Sequence, residues 1–528
     1  MLGAGLPATG ATVQRRPFPP GALIDLDFRR DRYFLAGARR SFGEMLAYGG
    51  GLCCFADAAG HLVWNTHNLL LNSEAPASQS VTVTAGAAYT LAMAGTGSVQ
   101  LSGAGSGTAA EDAPVTLTAA AGSLAVTVSG PVTRFWLYRS DLGGMADNPD
   151  NALGAGFGKY VPTGAAPVWL PRRNAYANGR PAGLVIESEA RTNRVLHNSD
   201  FGNGAWSKLQ VSLAPAASGG PRGPATMTRM TASGAGTGDC GLLQTGVGSV
   251  GTRMTVSAIV RTDGHRFAGF WGFGNSGVGV GFDLHALTSQ INGVWEDCGI
   301  DPLGPGLARI WAVVTPLVSD ALYAGLFSDI SGGKEISAGA FLDIDMIQAE
   351  AGATPSSCIP TGGTPVTRSA ETLEIRAPVL PAVMPEAVTV AVQGHMSYAD
   401  QDAGATVVPF AWQADGSNCI RSELSTSGAD TGRMAFVQKT GGAQSLARAA
   451  APGRAPGTDV PFSHAGRCSA AEIQGAANRE MTAPAAASGL PDLAGQGLAL
   501  GHTLNGTLEG FRLWELDLGG SGLARLAL

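Results

Sequence analysis

Two stretches constrain the fold more than any other feature. SVTVTAGAAYTLAMAGTGSVQLSG (80–103) and APVTLTAAAGSLAVTVSGPVTRFWLYRSD (113–141) alternate apolar with small polar residues, and glycine separates the runs. A period of two places successive side chains on opposite faces of a strand. Such a run therefore buries one face, pairs antiparallel with its neighbours and turns at glycine. A helix cannot use this pattern, because its apolar stripe repeats every 3.6 residues. Similar runs recur further on: RMTVSAIVRT, FAGFWGFG, VGVGFDL, ARIWAVVTPLV, LYAGLFSDI and AGAFLDIDMIQAE. The expectation is an all-β, multidomain chain of tandem antiparallel jelly-roll or β-sandwich modules, with a short mixed N-terminal segment.

Composition agrees with a folded chain. Charged residues make up 14% and glycines number 76 among 528 residues, whereas a disordered chain would be highly charged and poor in aliphatics. That length allows three or four domains. The formal net charge is −7, and basic pairs such as Arg15–Arg16, Arg29–Arg30, Arg39–Arg40 and Arg172–Arg173 are short and scattered. No basic run can track a phosphate backbone, so nucleic acid is not an expected partner. No run reaches the length of a membrane helix, and the N-terminus lacks the charge and apolar core of a secretory signal. Seven cysteines at irregular spacing contain no CxxC or zinc pattern and read as buried or incidental thiols.

Two strings close two parts of the chain and align without a gap: YVPTGAAPV (160–168) and CIPTGGTPV (358–366). Two openings precede them, HNLLLNSE (67–74) and TNRVLHNSDFGNGAWSK (192–208). Matched beginnings and ends make an internal repeat, short in its first copy and long in its second. The expected division is an N-terminal segment (1–50), a small sandwich (51–170), a larger jelly roll (171–372), a Pro-rich linker (373–386) and a C-terminal sandwich (387–528). Within the first segment, ALIDLDF reads as a strand. Ser41 and Glu44 have the spacing of a capping box at the start of a short helix.

The string GLVIESEARTNRVLHNSDFGNGAWSK resembles a signature of structural proteins in tailed bacteriophages and gene transfer agents. There a GLLIE string leads to RTNLL, then to a Ser, a Phe and a Trp. Gly183, Glu187, Arg191, Thr192, Asn193, Ser199, Phe201 and Trp206 match it in order. VGFDLHA, LGPGLARIWAVVT and DIDMIQAEAGATPSSCIPTGGTPVTRSAE resemble later pieces of the same module, with Leu307 and Cys358 as departures. The opening and the acidic end strand also resemble carbohydrate-binding jelly rolls. The last segment is similar to laminin-G or concanavalin-like sandwiches. The resemblance implies a virion surface protein, a tail fibre or head spike, that binds host surface polysaccharide. Its implied partners are other virion proteins and further copies of itself, as a trimer or pentamer. The implied location is the virion surface after cytoplasmic assembly, with residues 1–50 as the particle-docking segment. A purely structural subunit and a glycan depolymerase are the alternatives.

A sugar site on a sandwich needs an aromatic ring to stack on the sugar and planar polar groups to take its hydroxyls. The candidates are Trp271 with Asn275, and Trp295 with Asn292 and Asp297, the second tryptophan lying between turn residues. Trp136, Trp206, Trp311 and Trp514 read as core. No cofactor is required. By analogy with the carbohydrate modules, Asp200, Asp343 and Asp345 are candidates for a structural calcium, since hard cations take carboxylate oxygens. The chain contains no G-x-S-x-G, no H-E-x-x-H and no phosphate loop, and no carboxylate spacing argues for a cleft. The expectation is a protein that is not an enzyme.

Overall fold

The computed structural model describes residues 20–142, 160–177, 179–223, 226–234, 236–304, 306–318, 321–399 and 406–526. Its regular structure is almost wholly antiparallel strand, as the alternation requires. Strands occupy the predicted runs, among them Met254–Arg261, Phe267–Gly272, Leu307–Val314, Leu322–Leu326 and Phe341–Ala351. The capping box forms around the four-residue helix Phe42–Met45: Glu44 accepts from the Ser41 N–H at 2.7 Å, and the Glu44 N–H donates to Ser41 Oγ. No helix among the described residues is long and apolar enough to cross a membrane.

The small sandwich packs a four-stranded sheet, which includes Ser98–Gly103 and Gly122–Ser129, against a three-stranded one centred on Ala88–Ala94. Leu91, Val99, Leu101, Leu124, Val126, Phe135 and Leu137 fill its core. The jelly roll packs two six-stranded sheets. Strand Leu322–Leu326 lies within one and Phe341–Ala351 within the other. Their inner faces enclose Trp206, Phe270, Phe273, Phe282, Trp295 and Ile344.

The third sandwich corrects the expected division. Its long strand Asn505–Trp514 pairs on one edge with Ala387–Tyr398. On the other edge it pairs twice. Ile24–Asp27 takes its C-terminal half, and Arg180–Glu187 takes its N-terminal half. The opposing seven-stranded sheet ends in Leu498–Leu500, Thr372–Ile375 and Leu46–Gly49. Residues 20–50 are thus not a separate segment, and 373–386 is not a free linker. Both belong to one sandwich with one core, which runs from Ile24 and Leu46 through Ile375 and Leu380 to Leu513. The small sandwich and the jelly roll are inserted into it. The reason is edge satisfaction: a ten-residue central strand exposes two rows of backbone groups, and Ala387–Tyr398 supplies only one partner row. Gly183 of the GLVIE string permits the second pairing. Its φ is +101°, and an added Cβ would sit 2.2 Å from the Leu508 carbonyl oxygen.

The internal repeat extends to its hydrogen bonds. Asn68 accepts from the Leu70 and Leu137 N–H groups and donates to the Val161 carbonyl. Asn193 accepts from Val195 and Ala349 and donates to Ile359. Thr163 Oγ1 donates to the Leu70 carbonyl, and Thr361 Oγ1 to that of Val195. Gln79 clamps both backbone groups of Leu71, as Gln244 clamps those of Leu196. Each opening strand pairs with the strand that ends its copy, His67–Asn68 with Val168–Trp169 and Arg191–Asn193 with Val366–Arg368. The repeated strings are therefore clasps that join a module's start to its end.

Candidate functional site

The sandwich candidates fare unequally. Trp295 is 4% exposed and packs edge-on against Phe273 in the inter-sheet core. The turn expected to expose it ends at Val294, and Trp295 begins the strand that runs to Gly304. Asp297 lies two residues along that strand, half-buried, and its carboxylate accepts from the Cys298 N–H. Trp271 points away from the core, on the outer face of the other sheet, yet is 2% exposed. It stacks on Tyr323 at 5.3 Å and meets Phe327 at 5.1 Å. The turn that follows Phe327 carries Lys334 to 5.7 Å from the Trp271 ring. Gly269 lies beneath Phe327, and any Cβ there would strike its ring. Asn292 reaches the same turn through the Ile330 carbonyl. The structure therefore brings Trp271 and Asn292 to one loop and leaves Trp295 and Asp297 elsewhere. Asn275 opens a strand, and its side chain lies outside the described ones. Neither tryptophan offers an exposed stacking face, which corrects the expectation.

The calcium candidates do not converge either. Asp343 receives two hydrogen bonds from Arg229 at 2.7 and 2.8 Å. Asp345 receives two from Arg222 at 2.9 and 3.0 Å. Asp200 is exposed in the turn after the opening strand. The two buried carboxylates face guanidinium groups, so ion pairs fill the positions in which the calcium reading placed a cation. Among the described residues no group of three or more His, Cys, Asp or Glu side chains could hold a metal.

The site with the strongest binding geometry is a cleft of about 370 Å³ where the three sandwiches meet. Its walls are Phe55 and Leu62 from the separate hairpin of strands Cys54–Ala56 and Leu62–Trp64, Tyr176 and Val185 from the hairpin between the modules, Asp301 and Arg309 from the jelly roll, and Ser397, Asp459, Asn505 and Thr507 from the terminal sandwich. Mixed apolar walls with a few convergent polar groups are what a small-molecule or saccharide site requires. Asn505 Oδ1 is buried without a hydrogen-bond partner. An unpaired buried acceptor costs about 1–3 kcal/mol unless a donor reaches it. Asp301 accepts from Thr458 Oγ1 at 2.7 Å. Burial raises its carboxyl above the usual range, opposed by Thr458 and Arg309. On the rim, His395 donates to Asp459 at 2.8 Å and faces Glu509. The hydrogen bonds to Asp459 and Glu509 lift its pKa to about 9, so it is a cation at neutral pH.

The floor of the cleft is a buried knot of charge. Arg172 pairs with both Glu187 and Glu371. Glu371 also accepts from Tyr48 Oη and from the Glu187 N–H. Glu187 accepts from the Ser357 N–H and hydroxyl, and Arg368 stands beside it. Burial alone would raise Glu187, but Arg368, Arg172 and the Ser357 hydrogen bonds together hold it well below the carboxylate range. The GLVIE and VTRSAE strings supply three of these four charges. Sequence reasoning found those strings but not the cleft above them, because its lining comes from every part of the chain. No local signal links Tyr176, Asp301, Thr458 and Asn505.

No family model and no curated protein matches this chain. Solved structures that match it in part include domain 4 of AbnA, a GH43 extracellular arabinanase from Geobacillus stearothermophilus in complex with arabinotriose. The identity is 15% over 30% of this chain and 73% of that one, with a TM-score of 0.23. The CBM22-1–CBM22-2 tandem of Paenibacillus barcinonensis Xyn10C is 10% identical over 64% and 99% of the two chains, with a TM-score of 0.22. Mouse laminin α1 domains LG4-5 are 12% identical over 53% and 91%, with a TM-score of 0.20.

Proposed function

We propose that this chain is a non-catalytic glycan-binding protein of a phage-type or gene-transfer-agent particle surface, a tail fibre or head spike, and that its saccharide site is the three-sandwich cleft. One observation carries the binding reading. The cleft joins apolar walls, including Phe55 and Tyr176, to a buried, unpartnered Asn505 Oδ1 and to the Asp301 and Arg309 side chains. A sugar presents apolar C–H faces and hydroxyl donors, which suit such a surface. The particle setting is supported by the sequence resemblance, whose residues form the clasp and knot that hold the modules together. Single saccharide contacts are weak, and several copies on a symmetric particle would raise avidity without new contacts. The partners under this reading are neighbouring virion proteins, further copies of the chain and a host surface polysaccharide.

A second reading, a structural spacer without ligand, draws on the burial of Trp271 and Trp295. Screening purified protein against a panel of bacterial surface polysaccharides, with polymer length followed by viscosity, separates the readings. Binding without shortening, weakened by Asn505→Ala, supports the proposal. Shortening indicates a depolymerase, and no binding indicates the spacer; either outcome overturns the proposal.

A further inference from the structure

Cys54 and Cys358 come from opposite ends of the inserted modules. Cys54 opens strand Cys54–Ala56 of the two-stranded hairpin that precedes the small sandwich. Cys358 begins the CIPTG string that closes the jelly roll, where the first copy carries Tyr160. The structure makes them neighbours. Both are buried in the apolar seam formed by Leu62, Trp64, Ile259 and Met346, where the two side chains interact and shift each other's pKa. Both residues also line the cleft. Among the seven cysteines, only these two share that seam and that cleft.

We propose that Cys54 and Cys358 form a reversible oxidation site, closed to a disulfide by exchange with a small-molecule disulfide entering the cleft. Cys358 is the attacking sulfur. Its side-chain interaction with Cys54 stabilises the thiolate and, against burial, lowers its pKa, whereas that interaction and burial raise Cys54. The Cys358 thiolate attacks one sulfur of the small disulfide, and the first small thiol leaves with the Cys358 proton. Cys54 then attacks the Cys358 sulfur of the mixed disulfide, and the second small thiol leaves with the Cys54 proton. The protein loses two hydrogens and the small disulfide gains them. The new bond ties the hairpin wall of the cleft to the closing string of the jelly roll. This inference rests on the junction geometry and holds whether or not the cleft takes a glycan.

The test is to incubate the purified full chain with oxidised glutathione, then to titrate thiols and map peptides without reduction. The expected result is a loss of two of the seven thiols, a single cross-linked peptide joining Cys54 to Cys358, and recovery of all seven on reduction. Cys54→Ala and Cys358→Ala, each checked for fold by circular dichroism, should abolish the cross-link, and Cys53→Ala should retain it. Seven thiols remaining, a persistent glutathione adduct without ring closure, or a cross-link between any other pair would overturn the proposal. The peptide map of the unaltered chain decides even if a variant fails to fold.

Discussion

The two copies of the repeat share a clasp and differ in what surrounds it. In the small sandwich the clasp residues Asn68, Gln79 and Thr163 stand beside a neutral imidazole. His67 donates through Nδ1 to the Asn65 carbonyl and accepts at Nε2 from the Arg139 N–H. In the jelly roll the clasp residues Asn193, Gln244 and Thr361 stand beside charge, because Thr192 replaces His67 and Arg191 and Arg368 flank the opening strand. The same backbone device therefore carries two environments. The first copy is closed and apolar, with seven strands in its two sheets, and the second feeds the charged knot beneath the cleft. The lesson is that the repeated letters encode module closure. The proposed saccharide cleft draws mostly on residues outside those strings.

This comparison can be broken at graded cost. The largest effect is expected at the knot, which only the second copy feeds. Glu371→Gln leaves the fully buried Arg172 with less compensation and should cost about 3–5 kcal/mol of unfolding free energy. Chemical denaturation should show it, with loss of protection spreading to all three sandwiches in hydrogen exchange. Next come the clasp asparagines. Asn68→Ala and Asn193→Ala each strand buried backbone groups and should cost about 2–4 kcal/mol. Hydrogen exchange should localise the first to the small sandwich and the second to the jelly roll. Equal loss in both modules from either substitution would contradict two independent clasps. Gln79→Ala and Gln244→Ala remove clamps, the first half-buried and the second buried, and should cost about 1–2 kcal/mol each.

A further contrast between the copies is in pH dependence. Burial lowers the pKa of His67 to about 4, against an ordinary value near 6.5. The unfolded chain binds that proton first. The stabilisation from the neutral ring is therefore full above about pH 6.5 and is lost as pH falls toward 4. His67→Thr, the residue of the second copy, should flatten the acid limb of small-sandwich stability between those values. His464, also lowered by burial, to about 3, should leave the terminal sandwich's acid limb unchanged in that variant.

Much of the fold was legible in sequence. Alternation gave the strands, and the gapless closing strings gave the repeat, because both are local patterns. The joining of Ile24–Asp27 to Asn505–Trp514 was not legible, since strand pairing across the whole chain leaves no local signal. Trp206 was read as core and lies there, its indole N–H donating to the His197 carbonyl. Trp295 was misread because a preceding Asn-Gly turn marks a strand's start as well as an exposed loop. Trp271 faces outward as a binding residue would, but the turn ending at Lys334 covers it, and no sequence pattern reveals which loop folds onto which face. Asp343 and Asp345 do share a strand face, and the arginines they meet come from distant positions.

The central claim is that the unrepeated cleft, rather than either sandwich face, binds saccharide. Calorimetric titration of the full chain and of Asn505→Ala, Tyr176→Ala and Trp271→Ala with the polysaccharide that binds best in a panel tests it most directly. Affinity is expected to fall about tenfold or more, about 1.4 kcal/mol, in each of the two cleft variants and to stay within about twofold in Trp271→Ala. Unchanged binding in both cleft variants with loss in Trp271→Ala would contradict it.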